Sequence, residues 1–284
     1  MPLVEIRVAF CILAVMKKIS FLVFLLLATL SSFASIDTLL VYSKHMNKSI
    51  KVIVIKPANA AAKDSLPVVY LLHGHSANYR QWLDEAPSIV QQSKDMQAIL
   101  VLPDGGYNSW YFDSPINPSI QYETFIVKEL IPFIDAAYAT KANRNFRAIT
   151  GLSMGGHGAF YLAMRNQAVF GNAGSICGGL DLRPFPNNWQ LNKVLGDLST
   201  QPENWEKNTV INLIDSIDVS KLNLIFDCGI ADFFLGVNRA MHQKLLQKKI
   251  PHDYTERPGS HNTAYWSNSI HYQLMYFQHQ FSKN

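Results

Sequence analysis

The chain has 284 residues, 48% of them hydrophobic and 16% charged, with a formal net charge of +4. That length and apolar content suffice for one large α/β domain or two small ones. No basic run occurs beyond the first residues, so electrostatics offers no case for nucleic acid as a partner.

The N-terminus reads as a targeting segment. Lys17-Lys18 precede an apolar run from Ile19 to Leu30, and Ser32-Phe33-Ala34 follows. This charged, apolar, small-residue order is that of a secretory signal peptide. The run is shorter than the roughly 20 residues a membrane span needs. Cleavage after Ala34 would leave residues 35–284 as the mature domain. Met16 directly precedes the lysines and offers an alternative start, while an uncleaved anchor extended by residues 8–15 is the competing reading. No Cys stands directly after the run, which argues against a lipid-anchored lipoprotein. The expectation is export, to the periplasm or beyond the cell, with no stable membrane insertion after processing.

The predicted elements alternate. Leu39–Tyr42 and Ile50–Ile55 read as an opening antiparallel pair. Val68–Leu72 is a continuous apolar run ending in His73-Gly74, as in a buried strand that stops at a loop. Ala98–Leu102 is another, stopped by Pro103-Asp104-Gly105-Gly106. A helical pattern covers Tyr122–Tyr138, with Pro132 inside it as a kink or division. Phe146–Thr150 is the next strand, followed by Gly151–Gly155 and a helix to about Met164. Further strands are expected at Ala173–Cys177, Leu222–Cys228 and Asp253–Arg257, and helices at Phe233–Lys248 and Ser267–Phe281. Asp181–Ile217, rich in Asn and Pro, reads as an insertion over the site. The alternation predicts one mostly parallel sheet with helices on both faces.

Three Cys are present, and Cys11 lies in the segment to be removed. Cys177 and Cys228 sit near the ends of predicted strands, where a bridge and two buried thiols are both open. C-x-x-C and H-E-x-x-H spacings are absent, so a zinc mechanism has no support.

A serine hydroxyl is a poor nucleophile unless it is exposed, beside a base, and facing donors for the oxyanion it creates. Gly151-Leu152-Ser153-Met154-Gly155 lies between a predicted strand and a predicted helix, the context that makes G-x-S-x-G a nucleophile elbow of the α/β-hydrolase fold. Acid and base must then follow in the order Ser, acid, His. His261 stands in Pro258-Gly259-Ser260-His261-Asn262, the loop after the last predicted strand. Asp232, in Gly229-Ile230-Ala231-Asp232-Phe233, lies just past a strand end. Asp227, within that strand, is its rival, and Asp253 is a third choice. The oxyanion donors would be the backbone N–H of Met154 and one from the loop opening His73-Gly74-His75, for which His75 is the candidate.

The chain resembles the esterase D-like family of esterases, which includes tributyrin esterases, S-formylglutathione hydrolases and feruloyl or acetyl xylan esterases. Gly151-Leu152-Ser153-Met154-Gly155-Gly156-His157-Gly158-Ala159 is close to its elbow. Tyr70-Leu71-Leu72-His73-Gly74 with Trp82 resembles its oxyanion loop, and Pro103-Asp104-Gly105-Gly106 with Trp110-Tyr111 the loop beside the nucleophile. Cys228-Gly229-Ile230-Ala231-Asp232-Phe233 resembles the acid loop, and Gly259-Ser260-His261 the base loop. The resemblance implies hydrolysis of carboxylic esters through an acyl-enzyme without a cofactor, and it supports Asp232 over Asp227 and His75 as second donor. His75 is polar where several relatives are apolar, and the export segment argues against a cytosolic S-formylglutathione role.

The expected protein is thus a secreted serine esterase acting on a small-molecule or carbohydrate ester of short or medium acyl chain. Trp110, Tyr111 and residues of the insertion are expected to shape the alcohol side. The alternatives are an acyltransferase of the mycolyl transferase type, a siderophore esterase, and a non-catalytic binding protein, which an intact triad disfavours.

Overall fold

The computed structural model describes residues 34–57, 65–216, 218–219 and 221–284. The expected targeting segment, apart from Ala34, lies outside these. Ala34–Asn284 forms one compact unit. Among the described residues, no helix is long and apolar enough to cross a membrane.

The chain opens with β1 (Ser35–Ser43) and β2 (Lys48–Lys56), paired antiparallel from Ser35↔Lys56 to Ser43↔Lys48. Then come β3 (Val68–Leu72), α1 (Gln81–Glu85), α2 (Ile89–Met96) and β4 (Ile99–Pro103). α3 (Ile131–Ala137) precedes β5 (Arg147–Gly151), α4 (Met154–Arg165) and β6 (Asn172–Ile176). The expected insertion is irregular but carries three short helices, α5 (Asn192–Leu195), α6 (Pro202–Asn208) and α7 (Val210–Ser216). β7 (Asn223–Gly229), α8 (Leu235–Gln247), β8 (Asp253–Arg257) and α9 (Thr263–Ser282) complete the unit.

The eight strands form one sheet in the order β1-β2-β4-β3-β5-β6-β7-β8, parallel from β4 to β8. Its alternation feeds two cores. Val52, Val54, Val68, Tyr70 and Phe226 face one, while Ile53, Ile55, Val69, Leu71 and Leu100 face the other. α4 packs on the first face and α9 on the second. β3 is buried along its whole length, as befits a central strand covered on both faces, and so reads Val-Val-Tyr-Leu-Leu without polar alternation. Each such apolar side chain contributes ~1.5–3 kcal/mol by leaving water.

The helix expected across Tyr122–Tyr138 is subdivided. A three-residue turn, Tyr122–Thr124, runs into a π-helical stretch, Phe125–Leu130, before α3. Pro132 lacks an N–H and its ring crowds the carbonyl four residues back, so the chain widens just before it.

Sheet order locates the site. From β3 the chain moves to β4 on one side and returns to β5 on the other. Ligands of open α/β sheets bind at the carboxyl ends of the strands where the winding reverses. Here that crevice lies between the loops that leave β3 and β5.

Candidate active site

Ser153 ends the turn between β5 and α4 with φ 56° and ψ −115°. This left-handed conformation strains a residue bearing a Cβ, at a cost of order 1–3 kcal/mol. Tight packing enforces it. The Ser153 N–H donates to the Ile176 carbonyl at 2.9 Å, and that of Gly155 to Leu152 at 2.7 Å. A Cβ on Gly151 would lie 2.6 Å from the backbone of Leu72 and Gly155, and one on Gly155 would drive into the Leu72 carbonyl. The two glycines therefore permit β3, β5 and α4 to meet at one point.

His261 arrives from the loop between β8 and α9. Its Nε2 lies 2.9 Å from Ser153 Oγ, and its Nδ1 lies 2.7 Å from Asp232 Oδ2. Asp232 follows β7, and its carboxylate is wholly shielded from solvent. The other carboxylate oxygen accepts the Phe234 N–H at 2.8 Å, which fixes its direction. The acid and base loops brace each other, since Ala231 N–H donates to the Gly259 carbonyl at 2.9 Å. Asn262 caps α9 by accepting the Tyr265 N–H. Burial works against a charge on His261, but Asp232 outweighs it and raises the imidazole to about 9. Cys177 itself is held protonated by burial, so it approaches His261 as a neutral thiol.

The structure separates the rival carboxylates. Asp227 faces Arg257 Nη2 at 2.8 Å, accepts Gln273 Nε2 at 2.9 Å and accepts the Ser269 hydroxyl. It is committed to a buried network under the sheet. Burial raises its pKa despite Arg257 and these donors. Asp253 begins β8 and is exposed.

Of the two residues expected to supply oxyanion N–H groups, Met154 directly follows Ser153. Met154 is the first residue of α4, whose early N–H groups point away from the helix and carry its positive end. The loop after β3 passes close by, since a Cβ on Gly74 would sit 3.7 Å from Ser153 Cβ. Among the described residues, neither Met154 N nor His75 N donates to a protein acceptor. The loop is pinned by Gln81 Oε1, which accepts Gly74 N–H at 2.8 Å, and by Trp82 Nε1, which donates to Leu72 O at 2.9 Å. His73 adds a third tie. Its Nε2 accepts Gly105 N–H at 2.7 Å, so the ring proton sits on Nδ1 and is donated to Gly74 O at 2.8 Å.

Trp110 and Tyr111 require a correction. Sequence placed both on the alcohol side, but they are 1% and 0% exposed and present no surface to a ligand. Tyr111 donates its hydroxyl to the His73 carbonyl at 3.2 Å and so supports the loop of the oxyanion donors. Trp110 packs edge-on against His157. That histidine is wholly buried, with one ring nitrogen 3.1 Å from Trp110 O and the other 3.3 Å from Asn208 O. Burial lowers it to about 4, and a neutral ring has a single N–H, which it can donate to only one of these two carbonyls.

Residues not singled out from sequence border the base. The Phe233 ring lies 4.2 Å from His261 between centroids, and Trp189 of the insertion stacks 5.7 Å from Phe233. A lone Trp within Pro186-Asn187-Asn188-Trp189-Gln190 was the available signal, since a large aromatic in a polar loop needs a reason to be there. Cys177 and Cys228 are both free and buried, which resolves the open alternatives in favour of two thiols. Cys177, Asp232 and His261 bring potential metal-ligand atoms within 4.8 Å of one another. The facing atoms of Asp232 and His261 are already hydrogen-bonded to each other. A cavity of about 730 Å³ flanks β8, lined by His242, His252 and Tyr272, and includes none of the Ser153, His261 and Asp232 group.

A strained serine on a strand-to-helix turn, a histidine and a carboxylate in sequence order, on a reversing parallel sheet, define the α/β-hydrolase class. Comparison narrows it. A profile of the family described as "Putative esterase" matches residues 43–277; the chain belongs to that esterase family and is a hydrolase acting on ester bonds. It is 26% identical over 249 residues to an acetyl esterase of Caldicellulosiruptor saccharolyticus, covering 81% of this chain and 92% of that protein. It is 32% identical over 167 residues to the diacylglycerol acyltransferase/mycolyltransferase Ag85B of Mycobacterium leprae, covering 54% of this chain and 49% of that protein. Among solved structures it superimposes on a ferulic acid esterase with a TM-score of 0.76 at 24% identity, covering 88% of this chain and all of that one. This last likeness bears on the fold alone.

Proposed function

We propose that the protein is an exported serine esterase that cleaves short or medium acyl esters, acetyl or feruloyl esters of carbohydrate foremost, through an acyl-enzyme. The observation that carries this reading is the continuous hydrogen-bonded line from Asp232 through His261 to Ser153, at 2.7 and 2.9 Å. Ser153 Oγ attacks the ester carbonyl as His261 Nε2 takes its proton. The negative charge moves to the carbonyl oxygen, toward the N–H groups of Met154 and His75. Collapse of the tetrahedral intermediate breaks the bond to the alkoxy oxygen, to which His261 returns the proton. Water then repeats the sequence on the acyl-Ser153 ester, with His261 as base, and releases the acid. Asp232 keeps His261 in the tautomer that accepts at Nε2 and stabilises the imidazolium. Protons balance on these side chains alone, so the reaction written here calls on no cofactor.

The similarity to an acetyl esterase along most of both chains favours acetyl esters. The similarity to an acyltransferase supports a second reading, in which an alcohol replaces water in the second half-reaction. Product analysis with added glycerol or sugar separates the two. The export proposal rests on Lys17–Ala34 and is tested by N-terminal sequencing of the processed protein.

A fluorophosphonate probe tests the chemistry directly. The expected result is one covalent adduct, mapped by peptide mass to Ser153 and prevented by Ser153→Ala. Absence of labelling, or labelling elsewhere, removes the serine mechanism.

A further inference from the structure

Phe233 follows the triad carboxylate in sequence, yet its side chain turns outward and is 51% exposed. Phe234, the next residue, is fully buried. The exposed ring leans on the imidazole of His261 at 4.2 Å and 39°. Trp189 stacks against this ring. Its ring lies nearly parallel to Phe233, at 26°, and is held from behind by Phe185, Phe234 and Trp110 at 5.1–5.7 Å.

The backbone that delivers Trp189 is itself unusual. Trp189 and Gln190 have φ of 50° and 57°, in the left-handed region that residues with a Cβ enter at a cost. Gln190 is tied across the cleft rim, where its side-chain oxygen accepts Asn108 Nδ2 at 3.2 Å. Two loops from opposite ends of the chain segment thus bring flat apolar faces to one flank of the catalytic imidazole.

That flank belongs to the leaving group. His261 must hand its proton to the departing alcohol oxygen, so whatever that oxygen carries passes over His261 and meets Phe233. We infer that Phe233 and Trp189 form an alcohol-side subsite that takes a six-membered ring, a pyranose or an aryl-methyl group, against the exposed part of Phe233. This rests on the ester-hydrolase reading above. The Trp189 segment also meets the oxyanion loop, since His75 reaches the Trp189 backbone, and Tyr107 contacts the His75 ring at 4.9 Å.

The test compares kcat/KM for ethyl, benzyl and cyclohexylmethyl acetates, which share one acyl group and differ in the alcohol. The wild-type protein is expected to favour the two ring esters. Phe233→Ala is expected to lower the ring-to-ethyl ratio about tenfold, through KM, with Phe233→Tyr restoring it. Trp189→Ala, on a separate loop, should move the ratio the same way. A triad disturbed by the change at Phe233 would shift the pH profile and depress kcat, whereas a subsite loss leaves the profile's midpoint in place. A greater loss for cyclohexylmethyl acetate supports a pyranose as occupant, and a greater loss for benzyl acetate supports an aryl group. A ratio unchanged in both Ala variants overturns the subsite. Failure of the wild-type protein to hydrolyse any of the three, or to label at Ser153, overturns instead the reading beneath it.

Discussion

Asp227 and Arg257 meet at 2.8 Å under the sheet, on adjacent strands β7 and β8, whose ends carry Asp232 and His261. The pair fixes the spacing of the acid and base loops from below. Ser269 and Gln273 of α9 complete the network and join it to the helix that covers that face. Arg257→Met would leave a buried carboxylate without its cation. A loss of ~3–5 kcal/mol at pH 7 is expected, measured by urea unfolding. The deficit should narrow as the pH falls and Asp227, already raised by burial, takes up a proton.

Strain at Ser153 sets stability against activity. Ser153→Ala should lower turnover by ~10⁴–10⁶-fold while the fold stays intact. Ser153→Gly should be equally inactive but more stable by ~1 kcal/mol, because glycine adopts φ 56° without penalty. That corresponds to ~2–4 °C in Tm for a domain of this size, readable by calorimetry. A glycine variant less stable than the alanine variant would contradict the strain assigned here.

The base works only when neutral, and His261 is held up at about 9. kcat/KM should therefore climb with pH along a limb whose midpoint lies above the ordinary ~6.5 and toward 9. Asp232→Asn removes the group that raises it and should move that midpoint down while lowering the rate. The stability linkage has the opposite sense. The folded-state pKa exceeds the unfolded one, so the stabilisation is complete below about 6.5 and is lost as pH rises through about 9. A rate profile flat from pH 6 to 9 would argue against His261 as base.

Tyr111 touches no reacting atom, yet its hydroxyl holds the His73 carbonyl beside the oxyanion loop. Tyr111→Phe should cost ~0.5–1.5 kcal/mol of stability. It should also lower kcat several-fold with KM little changed, because a displaced donor weakens the transition state more than the ground state. Steady-state kinetics on one activated acetate ester decide this.

The elbow was legible because its requirements are local. Gly151 and Gly155 are demanded by close backbone approach, and a strand before and a helix after are readable from hydrophobic pattern. His261 was legible because a lone histidine followed the last strand, and Asp232 because it stood just beyond another. What sequence could not supply was direction. Trp110 and Tyr111 look like surface aromatics in a Gly-rich loop, and only the fold shows that α4 and β3 close over them. Phe233 and Phe234 are indistinguishable in sequence, yet one faces solvent and the other the core. Pro132 marked an interruption of its helix in advance, but the π-helical form of the widening before it is not something hydrophobic periodicity registers.

The strand order has one more implication. β8 is the outermost strand on its side, half-covered along its length, and the catalytic imidazole hangs from its end. Sheet margins fray before sheet centres. Ser153, by contrast, rises from a central strand. Warming or mild denaturant should therefore detach proton transfer from the nucleophile while most of the molecule remains ordered. Silent enzyme with intact far-ultraviolet dichroism is the state to look for, and its appearance marks the margin, rather than the core, as the element that limits working life.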